Sequence, residues 1–122
     1  MPCSIKFEKK LDCICINVQG VLDLNVLRAM AAEVAGLVAQ NSCRFVLNDM
    51  RQAMLSNGIY EVCKMPQAAR AQGLEQATKR ALVVPENAPE FNFLETVFVN
   101  KGHVVRLFTD LDAAKKWLFS EN

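Results

Sequence analysis

The sequence predicts an α/β domain: a five-stranded, mostly parallel sheet with an antiparallel first strand and about four helices. Three observations carry that prediction. Segments of strand and helix character follow one another in the order β-β-α-β-α-β-α-β-α, the order of crossover-connected parallel strands. The second strand, "CICINV", is apolar on both faces and therefore requires cover on both sides. At 122 residues and 52% hydrophobic, the chain is large enough for one sizeable core without metals or cross-links, so residues 1–122 read as a single domain.

Each element has its own justification. Ser4 to Lys9 alternates, with Ile5 and Phe7 on one face and Lys6 and Glu8 on the other, as an edge strand does. "KKLD" makes a tight connection to "CICINV", which puts the first strand antiparallel to the second; Gly20 is expected to end the second strand. Asp23 suits the cap of a helix whose apolar positions are Val26, Leu27, Met30, Val34, Leu37 and Val38. The turn "QNSC" leads to a third strand over Arg44 to Asp49, and Asp49 to Gly58 reads as the loop that follows. From Ile59 to about Gln72 the pattern is helical, with Pro66 predicting a kink or two short helices and Gly73 a stop. "RALVVP" is a buried strand. Asn87-Ala88-Pro89-Glu90 has the cap residue, early proline and acid of a helix start, and Phe91, Leu94, Val97 and Phe98 form the stripe that follows, up to Gly102. "VVRLF" is the last strand. Thr109-Asp110-Leu111-Asp112 then caps a short helix lined by Ala113, Ala114, Trp117 and Leu118.

Composition excludes several function classes. Fourteen basic residues against 13 acidic ones, with the lysines and arginines scattered, give no basic stripe for nucleic acid. No apolar run reaches the roughly 20 residues of a membrane span, and "MPCSIKFEKK" is charged where a signal peptide is apolar. Five cysteines without a CxxC pair are expected to be free, mostly buried thiols, which fits a cytoplasmic location. The first helix, "VLRAMAAEVAGLVAQ", has few charges; it is either deeply packed or the face of a homodimer.

The chemical inventory is thin. His103 is the single histidine, so a histidine metal cluster is excluded, and its place before a strand suits a structural role. No phosphate loop, nucleophile elbow or dinucleotide fingerprint is present, and no cofactor is expected. Asp49, Arg51, Ser56 and Tyr60 would gather beyond the carboxyl end of the third strand, where open α/β sheets place ligands and switches. An Asp49–Arg51 pair would equally serve the loop itself, and a nucleophilic Ser56 has no evident base. Phe91 and Phe93 are candidates for an apolar ligand or partner surface, against the alternative that they face the core.

Four segments together resemble one known family: "NDMRQAMLSNGIYEV", "RALVV", "FNFLETVFVNKGHVVRLF" and the closing "TDLDAAKKWL". Their order and spacing resemble the STAS superfamily, in its SpoIIAA-like branch, over nearly the whole chain. The resemblance implies a small α/β domain without catalysis that acts by binding a protein partner. It places Ser56 on the serine that a partner kinase phosphorylates in regulatory members, Asn57 on the next position and Gly58 on the glycine of that motif. Leu55 stands where the family has an acid. Ser56 is therefore read either as an acceptor, where phosphate would break docking by charge and desolvation, or as a helix cap. The branch also resembles SEC14-type lipid-binding domains in fold, which makes a small apolar-ligand domain the alternative function.

Overall fold

The computed structural model describes residues 3–55, 58–74 and 78–120. Strand β1 (Cys3–Glu8) pairs antiparallel with β2 (Cys13–Leu22), and the turn between them closes through Leu11 N–H to Glu8 O and Asp12 N–H to Lys9 O, both 3.2 Å. Helix α1 (Leu24–Asn41) crosses to β3 (Phe45–Leu55), α2 (Ile59–Ala71) to β4 (Lys79–Val83), and α3 (Glu90–Asn100) to β5 (Val104–Phe108); α4 (Leu111–Leu118) closes the chain. The sheet order is β1-β2-β3-β4-β5, parallel everywhere except at β1.

That order dictates the layers. Right-handed crossovers stepping always in the same direction put every crossover helix on one face of the sheet. Helices α1, α2 and α3 accordingly share a core with Ile14, Ile16, Val18, Val46, Met50 and Leu82. Helix α4 folds back onto the opposite face over Cys13, Leu47, Ala81 and Val83. The stripe of α1 is used inside the chain: Leu27, Met30, Ala31 and Val34 are buried, and Leu24, Val26, Leu37 and Val38 pack against the same core. Deep packing thus accounts for its apolar character.

Four local expectations are corrected. Strand β2 does not end at Gly20 but passes through it, with φ +83°, to Leu22. Strand β3 does not end at Asp49; it stays paired with β2 out to Leu22↔Leu55, beyond the reach of β4, whose last partner is Asp49↔Val83. What reads as a loop from Asp49 is therefore one arm of a two-stranded ribbon. Of the two outcomes expected at Pro66, two short helices do not occur: Pro66 lies within the single helix α2, with its ring fully buried. Asn87 does not cap α3: its backbone is left-handed at φ +61°, and the first turn closes instead on Ala88 O and Pro89 O.

Candidate functional site

Asp49 and Arg51 sit where the ladder between β2 and β3 changes register. Asn17 faces Asp49 but Gln19 faces Gln52, so β3 carries one residue more than β2 over this step. Such a bulge shifts the side-chain alternation by one. Met50 and Ala53, three apart, consequently both point into the helix-side core, while Arg51 leaves on the other face. There Asp49 Oδ1 accepts from Arg51 N–H at 3.1 Å and Nε at 3.0 Å, and Oδ2 accepts from Nη2 at 2.8 Å. These bonds hold the Asp49 carboxyl below its ordinary pKa. A carboxylate saturated by three donors is a clip for the bulge and a poor general base.

The ribbon beyond the bulge ends in apolar surface. Leu22, Ala53 and Leu55 pack toward the core, and their neighbours Val21 and Met54, cross-strand partners, turn outward. Met54 is 61% exposed, and the first two residues of α2, Ile59 and Tyr60, are 69% and 78% exposed. Lys64 Nζ stands 4.7 Å from the centre of the Tyr60 ring, one turn along the helix. Gly58 occupies the N-cap position of α2 with φ +116°, a region open to glycine and strained for other residues. Ser56 and Asn57 lie outside the described residues.

The remaining candidates are interior. Phe91 is fully buried and belongs to the core, so it presents no surface for a ligand or partner; Phe93 is half-buried against the same core. His103 is also buried, and its Nδ1 accepts from Arg80 Nη2. Burial first, then the Arg80 charge, lowers the imidazole pKa to about 4, so the ring is neutral and serves as an acceptor. Arg80 itself points from β4 into the helix side of the sheet. Strand alternation could have revealed this, since it sets Arg80 on the face of Leu82 and Val84; nothing local marked Met54, whose outward place depends on the bulge in β3.

No protein-family model matches the sequence, and no curated protein matches it. Solved structures do. The chain is similar to an anti-sigma factor antagonist from Mycobacterium paratuberculosis, with 16% identity and a TM-score of 0.60 over 97% of this chain and 95% of that one. It is similar also to the anti-sigma factor antagonist SpoIIAA in its unphosphorylated form, with 14% identity and a TM-score of 0.56 over 97% of this chain and 99% of that one. At such identities the likeness is one of architecture, and it agrees with the sheet order and helix placement described above: the chain has a SpoIIAA-like fold.

Proposed function

We propose that this chain is a non-catalytic regulatory module that binds a partner protein, of the anti-sigma factor kind, through the end of the β2–β3 ribbon and the first turn of α2. The observation that carries the reading is the exposure of large apolar side chains on both elements: the cross-strand pair Val21 and Met54 on the ribbon, and Ile59 and Tyr60 at the start of α2. Contiguous apolar surface rimmed by polar groups marks interaction sites, and Tyr and Met are enriched in the centres of interfaces. Asp49 and Arg51 supply a charged rim. The shared fold supports the same reading, because the proteins of that fold named above act as antagonists of regulatory factors.

Chemistry supports it too. Asp49 is occupied by Arg51, and His103 is neutral and buried beside Arg80. A lipid-binding domain needs an enclosed pocket of about 300 Å³ or more. The cavity inside the helix-side core is about 50 Å³.

The test is titration of the purified chain against the anti-sigma factors encoded in the same genome. Binding is expected to one of them, and the double variant Met54→Ala, Tyr60→Ala should weaken it about tenfold or more, or about 1.4 kcal/mol. Phe93→Ala, away from the surface, should leave affinity within about twofold. If the double variant binds as well as the parent, the surface is wrong. Ser56→Glu adds a separate measurement: weakened binding assigns Ser56 to the docking surface as a switch, and unchanged binding removes it.

A further inference from the structure

The helix-side core contains a charge that no acidic group among the described residues neutralises. Arg80 is 6% exposed, and among the described residues it forms no ion pair. The contacts of its guanidinium are with neutral groups: His103 accepts from Nη2, and the Phe98 ring lies 5.4 Å from the guanidinium carbon. Burial draws the guanidinium pKa down only to about 10, which leaves it a cation at neutral pH. An unpaired buried cation is heavily disfavoured unless something of opposite sign reaches it.

A second orphan lies close by. Asn48, from β3, is 5% exposed, and its Nδ2 meets only the Met30 sulfur at 3.9 Å. Asn48 Oδ1 and Arg80 Nε are both fully buried without a hydrogen-bond partner among the described residues. Both residues line the same cavity of about 50 Å³, whose other walls include Ile16, Met30, Val34 and Phe98. Buried donors and acceptors are nearly always satisfied, so two orphans facing one space point to an occupant. The space limits its size: a water needs roughly 10–15 Å³ by this measure, so an anion of one or two heavy atoms and a water fit together.

We propose that this cavity is a binding site for a small monovalent anion, of the halide kind, seated on the Arg80 Nε–H beneath α1. One water donates to the anion and to Asn48 Oδ1 and completes the shell. The apolar walls sharpen the selection, since in a low-dielectric site the single positive charge is matched by a single negative one. A divalent oxyanion would bring excess charge and more acceptors than the site has donors. The site is separate from the exposed surface at the ribbon end and does not depend on its role.

Crystals of the full chain soaked in sodium bromide test this directly. The anomalous map should show a bromide within hydrogen-bond distance of Arg80 Nε. In solution, sodium chloride should replace sodium gluconate at fixed ionic strength, up to physiological chloride, with the thermal midpoint followed. The midpoint should rise by about 2 °C or more in the parent and stay flat in Arg80→Met. That variant replaces a buried charge by an apolar group of similar length, a change that is often tolerated; if it does not fold, the bromide map and the parent's chloride dependence decide. Water alone at the position, or a carboxylate of the chain itself, overturns the proposal. So does a bromide peak without a chloride-dependent midpoint, which would mean binding at crystal concentration only, and so does an equal rise in Arg80→Met.

Discussion

At the scale of single residues, the surroundings of His103 set a measurable pH dependence. The ring stands edge-on to Phe98 with centroids 5.2 Å apart, accepts from Arg80 and is held near a pKa of about 4. In the unfolded chain the same imidazole titrates near its ordinary 6.5. Between those values the unfolded state takes up a proton that the folded state refuses. Stability is therefore full above about pH 6.5, falls as the pH drops towards 4, and levels off below. A shift of this size corresponds to a loss on the order of 3 kcal/mol. Urea unfolding at pH 7, 5.5 and 4 should show the decline, and His103→Gln, which keeps an acceptor for Arg80 but cannot titrate, should remove most of it. Asp49 acts in a lower window: its carboxyl is depressed, so its contribution is present above 3.8 and lost on acidification below that. The alternation of "KRALVV" already places Arg80 on a core-facing side, but its partner lies 23 residues away. The parallel pairing of β4 with β5, Lys79↔Val104 and Arg80↔Val105, brings them together, and no local pattern records that.

At the scale of elements, caps and strand ends separate what a sequence discloses from what it conceals. Asp23 and Asp110 cap as their positions imply, accepting from Val26 N–H at 2.8 Å and Ala113 N–H at 3.0 Å. Asn87 had the same credentials and does something else, because its backbone at φ +61° uses asparagine's tolerance of the left-handed region rather than its side-chain acceptor. The two roles respond differently to substitution. Asp23→Ala should cost about 1 kcal/mol, the loss of a cap. Asn87→Ser should destabilise although serine caps as well as asparagine, and Asn87→Gly should not, because glycine alone relieves the backbone. Urea midpoints of the three variants decide; equal stability of Asn87→Ser and the parent would contradict the left-handed role. Strand β3 was legible only to Asp49, since "MRQAML" shows no period of two. The bulge at Met50 and Arg51 breaks the alternation on which strand recognition depends, and so hides the ribbon with the surface it carries.

At the scale of the whole molecule, the alternation of elements and the handedness of crossovers were enough to read the sheet, its antiparallel edge and the helix layer. What they leave open is how unequal the two faces are. Three helices cover one face and a single eight-residue helix covers part of the other. Helix α4 is held by Ala114 and Leu118 beneath it, and by Lys79, whose Nζ donates to Trp117 O at 2.7 Å and stands 4.5 Å from the Trp117 ring centre. A single eight-residue helix should open at lower free energy than the three-helix layer. Two buried thiols report on the two sides: Cys13 lies in the α4 core, while Cys43 lies in the larger one and donates to Asp12 O and Phe45 O. Burial raises the pKa of both, so neither reacts until its core opens. In variants retaining one of the two cysteines, a thiol reagent under native conditions should label Cys13 faster than Cys43. Leu118→Ala, which removes about 2–5 kcal/mol of packing from α4, should accelerate Cys13 much more than Cys43. Equal acceleration of both would mean that α4 leaves only when the whole domain unfolds, and that the two faces form one cooperative unit.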